Sequence, residues 1–208
     1  MKLLRLARGN QIAEFIVIVA LALGLAWLIQ AFVLKPYRIP TGSMEPTLEI
    51  GQRVLVDRIG NDFFNPSVGD IVVFHPPTGA VEAGDGICGV PTTTASDEMC
   101  PQPTRQEAST TYIKRVVAVG GDMIALQNGH VILNGKRQKE PFANFSGCSG
   151  NTNCTYSKPI KIPAGYYFMM GDNRGDSDDS RFWGPVPDSW IIGEAFATYW
   201  PPDRIGFF

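Results

Sequence analysis

This 208-residue chain has only two histidines, His75 and His130, and four cysteines, none spaced as Cys-x-x-Cys. A structural zinc site takes four ligands and a catalytic one three, so zinc has almost no donors here. Hydrolysis of the Ser-His-Asp kind needs a well-placed histidine. His75 precedes Pro76-Pro77 and His130 sits at a hairpin turn, both ordinary places for a surface histidine. A basic face is also missing. Beyond Arg38 there are 13 basic and 19 acidic residues, a balance of −6, which argues against a nucleic-acid binder. With 22 glycines and 16 prolines, long helices are disfavoured and an all-helical bundle is excluded. The aspartates between Gly171 and Arg181 do not make a calcium loop. The sixth residue from Asp172 or Asp176 is Ser177 or Arg181, where glycine is required.

One long apolar run is present. Phe15 to Leu34 is uncharged over 20 residues, which as a helix spans about 30 Å, the thickness of a bilayer's hydrocarbon core. Lys2, Arg5 and Arg8 precede it, and Lys35 and Arg38 follow. This small bias keeps the amino terminus in the cytoplasm and puts the body of the chain outside. The expectation is a cytoplasmic segment over 1–11 and a single transmembrane anchor over 12–34. The rival is a cleaved signal with a small-x-small site at Gly24-Leu25-Ala26, but the apolar run continues eight residues past Ala26. Four cysteines allow three pairings. Cys88 with Cys100 and Cys148 with Cys154 are favoured, because turn-rich loops separate them. Four free thiols in a cytosolic protein are the alternative.

The remainder reads as short strands between turns. Arg53–Asp57, Asp70–Phe74, Thr111–Val119, Met123–Leu126, His130–Leu133, Tyr166–Met170 and Ile191–Trp200 are strand candidates, and Lys158–Pro163 leads into the sixth of these. Asn128-Gly129 and Asn134-Gly135 signal tight hairpin turns. Thr78 to Thr110 reads as a disulfide-stapled excursion rather than core. The fold class expected is mainly β. The sheet expected is antiparallel.

Three stretches could carry chemistry. Ser43 lies in Pro40-Thr41-Gly42-Ser43-Met44-Glu45-Pro46-Thr47, where Gly42 permits a tight turn. A serine there can offer Oγ and its own N–H to one carbonyl. Strand alternation puts Lys114 on a face with Tyr112, Val116 and Ala118, the one charge among them. Burial would lower its pKa and make the amine a base, whereas a strand-edge lysine would reach water. The third stretch is the polar run Gly171 to Arg181, whose plain reading is a solvated turn.

Together, Tyr37 to Leu48, Gly51 to Asp57, Tyr112 to Asp122 and Gly171 to Trp183 resemble the conserved boxes of bacterial type I signal peptidase, also called leader peptidase. That resemblance implies Ser43 as nucleophile and Lys114 as general base. It implies an oxyanion hole from the Ser43 N–H and the Thr41 hydroxyl. Ser177 would orient the Lys114 amine, and Asp179 and Arg181 would pair, with Asp172 nearby. Ile39, Pro40, Met44, Leu48, Tyr112 and Ile113 would line small pockets that read Ala-x-Ala sites in preprotein signal peptides. No cofactor or metal is implied. The partners implied are signal peptides and membrane lipid, with no nucleic acid. The location implied is the bacterial inner membrane, with the catalytic domain on the periplasmic side. The resemblance also implies an antiparallel catalytic domain over 35–121 and 166–208 and a small second β domain over 122–165. Gly175-Asp176 departs from the family's usual pair, and Thr78–Thr110 matches no box.

Phe182-Trp183, Trp190, Tyr199-Trp200 and Phe207-Phe208 are candidates for an interfacial rim or for core. The rivals are a related Ser-Lys peptidase, such as one for a conjugation pilin, and a self-cleaving repressor, which the anchor disfavours. A non-enzymatic anchored binding domain is the rival of another class, and it predicts that Ser43 and Lys114 lie far apart.

Overall fold

The computed structural model describes residues 11–32, 34–58, 65–80, 88 and 98–208, with side chains of 26–32 excepted. Lys2, Arg5, Arg8 and most of the Gly89 to Met99 loop lie outside the described residues. Helix α1 runs Gln11–Phe32 and carries Glu14 in its first turn. Its side chains are described to Leu25, about 22 Å of helix at 1.5 Å per residue, and nearly all are exposed. Among the described residues no helix is long and apolar enough to cross a membrane.

The strands are β1 (Leu34–Arg38), β2 (Arg53–Asp57), β3 (Ile71–Phe74), β4 (Tyr112–Val119), β5 (Met123–Gln127), β6 (His130–Leu133) and β7 (Lys136–Arg137). They continue with β8 (Tyr156–Lys161), β9 (Tyr166–Met170), β10 (Val186–Pro187), β11 (Ile191–Trp200) and β12 (Gly206–Phe207). A one-turn helix α2 (Ser180–Trp183) lies between β9 and β10. Among the described residues the strands form two antiparallel sheets. The larger has the order β1-β2-β11-β3-β4-β9-β10, with β12 on β11, and the smaller has β7-β6-β5-β8. The chain is mainly β, as its turn-rich, helix-poor sequence led one to expect.

Local chemistry explains the hairpins. Asn128 and Gly129 have φ of 51° and 80°, and Asn134 and Gly135 have 51° and 78°. Paired positive φ values are what a tight hairpin turn between right-twisted strands demands, and Asn-Gly tolerates them. Strand β1 contains Pro36, which cannot donate to a ladder, and it sits at the edge of the larger sheet accordingly.

Core side chains fall into three groups. Ile39, Met44, Leu48, Val54, Val56, Ile71, Val73 and Ala195 pack beneath the serine segment. Val72, Phe74, Val116, Met169, Trp183 and Val186 fill the second group. Val117, Ala118, Ile124, Leu126, Phe168 and Met170 fill the space between the two sheets, with Met99. Two sequence expectations are corrected here. Strict alternation would keep Val116 and Ala118 on one face, but a register shift between them in the β4–β9 pairing sends them into different groups. A bulge adds one residue and breaks the period of two. The stretch Thr78–Thr110 is not wholly an excursion either, since Met99 and Cys100 are buried and the Cys100 N–H donates to the Arg181 carbonyl at 3.2 Å. The turn residues around Met99 hid a core side chain.

Candidate active site

Ser43 stands in a one-turn 3-10 helix, Gly42–Met44, which follows directly from β1. Met44 and Leu48 are fully buried and pin this segment from below. From above, the backbone N–H of Asn173 donates to the Ser43 carbonyl at 3.1 Å, and its Nδ2 donates to the Gly42 carbonyl at 3.2 Å. Arg204, near the carboxyl end, pairs with Glu49 and donates to the carbonyls of Pro46 and Thr47.

Lys114 comes from the third position of β4, and its Nζ lies 2.5 Å from Ser43 Oγ. The lysine is only 4% exposed. Burial pushes its pKa from the usual 10.5 down to about 8, against the opposing pull of the Asp179 and Asp178 carboxylates. Thr41 Oγ1 is 3.3 Å from Ser43 Oγ. Ser43 and Lys114 are therefore in contact, contrary to what a purely binding domain leads one to expect.

Three buried ion pairs fix the Gly171–Arg181 run: Arg181 with Asp179, Arg115 with Asp172 and Arg174 with Glu140. Asp179 accepts from Arg181 Nε at 2.7 Å, Arg181 Nη2 at 2.9 Å, the Gly171 N–H at 3.1 Å and Ser177 Oγ at 2.8 Å. Burial alone would raise the Asp179 pKa; the Arg181 guanidinium and these hydrogen bonds outweigh it and hold the carboxyl below its ordinary range. Asp172 pairs with Arg115, accepting at 2.8 and 2.6 Å, and takes a third bond from Thr47 Oγ1 at 2.5 Å. Gly171 is required by space, because a Cβ there would lie 2.3 Å from Ser177 Oγ and 2.4 Å from the Ser43 carbonyl oxygen.

These parts surround an open cleft of about 530 Å³. Ile39, Pro40, Thr41, Ser43, Tyr112, Ile113, Lys114, Ser177 and Arg181 line it. Met44 and Leu48 lie in the core below and are not among its lining residues. Sequence reading missed Arg115, Val73, Asn151 and Asn153. Arg115 and Asp172 are 57 residues apart, and no local pattern joins them. Asn151 and Asn153 lie inside the loop closed by the Cys148–Cys154 disulfide. The other disulfide is Cys88–Cys100, so both bridges join sequence neighbours.

Comparison with known proteins agrees with a peptidase. The family described as signal peptidase, peptidase S26, matches residues 12–200. A protein of Synechocystis sp. named a probable signal peptidase I-1 is 35% identical over 196 residues, covering 94% of this chain and 86% of that one. The signal peptidase I of Leptolyngbya laminosa is 35% identical over 198 residues, covering 95% and 84%. A probable thylakoidal processing peptidase 2 of Arabidopsis thaliana is 33% identical over 185 residues, covering 88% of this chain and 43% of its own length. A crystal structure of a signal peptidase I from Enterococcus faecalis aligns with 63% of this chain and 97% of that one, at 21% identity and a TM-score of 0.41, too distant to carry an argument. The chain is thus a serine peptidase, a hydrolase. It belongs to the signal peptidase family, peptidase S26.

Proposed function

We propose that this chain is a membrane-anchored endopeptidase that removes signal peptides from secreted preproteins after small-x-small sites. Ser43 is its nucleophile and Lys114 its general base. The observation that carries the reading is the 2.5 Å contact between Ser43 Oγ and the buried Lys114 Nζ. Ser43 Oγ attacks the scissile carbonyl carbon as its proton passes to the neutral Lys114 amine. The Ser43 N–H and the Thr41 hydroxyl stabilise the oxyanion. When the C–N bond breaks, the Lys114 ammonium returns the proton to the leaving amine. Water then attacks the Ser43 ester, giving a proton to Lys114; the C–O bond to Ser43 breaks as Lys114 returns that proton to Ser43 Oγ, and the signal peptide leaves as a carboxylic acid. Ser177 orients the Lys114 amine and the Asp179–Arg181 pair supports the loop beside it; the bond described for the Ser177 hydroxyl is the one it donates to Asp179. Ile39, Pro40, Tyr112 and Ile113 receive the small residues before the cut, and Met44 and Leu48 form the floor beneath them.

The anchor is the segment 12–34, which is helical in α1 as far as Phe32 and carries the uncharged run that begins at Phe15. Helix α1 is 22 residues long, about 33 Å, with Glu14 as its one charge. Ten residues link Phe32 to Ser43, a reach of at most about 40 Å, so an anchored enzyme holds its serine near the membrane that also holds the signal peptide. Trp200, Phe207 and Phe208 are exposed and suit a lipid interface, whereas Trp183 is buried core. Two disulfides favour an oxidising compartment, with the segment 1–11 in the cytoplasm. The catalytic domain is 35–121 with 166–208, and 122–165 is the second β domain, which holds the smaller sheet.

The test is cleavage of an Ala-x-Ala preprotein in detergent by wild type, Ser43→Ala and Lys114→Ala, each checked for folding. The reading predicts cutting after the site by wild type and losses of orders of magnitude in both variants. Cutting at wild-type rate by either folded variant overturns the mechanism. Absence of cutting by wild type overturns the substrate.

A further inference from the structure

We infer that the loop closed by Cys148 and Cys154 is the wall of the cleft that holds the polypeptide following the scissile bond, with Asn153 as a specificity-determining contact. The inference rests on the Ser43–Lys114 reading and extends it to the leaving side.

The cleft lining divides by chemistry. Tyr37, Ile39, Val73 and Ile113 belong to the apolar group packed under the serine. Asn151, Asn153, Gly175, Asp176 and Asp178 supply a polar wall. Small apolar side chains before the cut belong in the first part, so the chain after the cut must leave across the second.

That wall is built into the fold. Gly147, the residue before Cys148, meets Gly175 so closely that a Cβ on Gly175 would lie 2.3 Å from the Gly147 Cα. The Asn144 N–H donates to the Asp172 carbonyl at 2.7 Å, and its carbonyl accepts from the Arg174 N–H at 2.9 Å. Arg181 Nη1 donates to the carbonyls of Asn153 at 3.0 Å and Arg174 at 2.8 Å, while the same guanidinium holds Asp179. The stapled loop and the segment beside Lys114 therefore move as one piece.

The two asparagines have different roles. The Asn151 side chain is used within the loop, accepting from the Asn153 N–H at 3.0 Å and donating to the Gly147 carbonyl at 3.3 Å. Asn153 has its backbone carbonyl fixed by Arg181 and is itself exposed at the cleft. Its carboxamide thus presents an NH2 donor group and a C=O acceptor on a rigid support, and an extended peptide backbone needs both.

Charge narrows the ligand. Arg174 is paired with Glu140, and Arg181 with Asp179. Asp176 and Asp178 are exposed on this wall. The segment after the cut is therefore an extended chain with neutral or basic side chains, and acidic ones are disfavoured.

The test uses the full chain in detergent and two substrates with the same residues before the cut. One continues several residues past the scissile bond, and the other ends there in a small chromogenic amine. Asn153→Ala keeps the carbonyl that Arg181 needs. It should lower kcat/KM on the long substrate about three- to tenfold, mainly through KM, and leave the short one unchanged. Equal losses on both substrates would mean a merely structural role and would overturn the inference, as would no loss on either. A long substrate with glutamate in the two positions after the cut should be cut more slowly than its lysine counterpart, and Asp178→Asn should shrink that ratio. An unchanged ratio in Asp178→Asn overturns the charge preference. Cutting by Ser43→Ala would instead mark failure of the underlying reading.

Discussion

Replacing Lys114 by methionine, which has a similar length and no charge, should make the folded protein more stable near neutral pH while abolishing its activity. Burial holds the lysine at about 8 instead of 10.5. Between those values the unfolded chain carries a proton that the folded chain does not, so stability rises with pH across that window. Below about pH 8 both states are protonated, and the folded state bears the full cost of a buried ammonium. At about 1.36 kcal/mol per pH unit, the gap from 10.5 to 8 is about 3 kcal/mol at pH 7 and falls below about 1 kcal/mol at pH 10. Loss of the contact with Ser43 costs the variant about 1 kcal/mol at either pH. The telling quantity is thus the change in the wild-type-to-Lys114→Met difference between pH 7 and pH 10. It should be about 2.5 kcal/mol, with the advantage of methionine shrinking as pH rises. Denaturant unfolding in detergent at the two pH values measures it, and other titrating groups cancel. A difference that does not change with pH would show that Lys114 titrates normally in the folded protein and would refute the reasoning.

The same titration governs catalysis. With a neutral amine required, kcat/KM should fall about tenfold from pH 9 to pH 7, and a pH–rate profile without an acid limb near 8 would contradict a lysine base. Asp172→Asn leaves the Arg115 guanidinium buried without its carboxylate and should cost about 3–5 kcal/mol of stability, measured by denaturant unfolding. A loss under 1 kcal/mol would mean the pair is not buried as described. Replacing both Cys148 and Cys154 by serine removes a short covalent loop, worth about 2.4 kcal/mol, and should also raise KM for long substrates if the loop is a cleft wall.

Much of the fold is legible in the sequence because its local signals agree. The alternation of Arg53-Val54-Leu55-Val56-Asp57 appears as a strand with Val54 and Val56 buried. Each Asn-Gly pair takes the positive φ values its turn requires. Strand β1 was harder to see, since Leu34-Lys35-Pro36-Tyr37-Arg38 has a proline and follows the apolar run; only its edge position makes it a strand. Ser43 and Lys114 stand out singly as weak signals and become specific only together, because 71 residues separate them and the sheet brings them into contact. Asn153 has no sequence mark at all. It lines the cleft beside tertiary contacts that no local pattern announces, Gly147 against Gly175 and the Asn153 carbonyl on Arg181.

The most direct test of the central claim is the intact mass of the enzyme, acid-quenched within the first turnovers of an Ala-x-Ala substrate, followed by peptide mapping. The account predicts an added mass equal to the signal peptide acyl group, ester-linked at Ser43 and absent from Ser43→Ala. An adduct on another residue, or continued turnover by folded Ser43→Ala with no adduct, would contradict it.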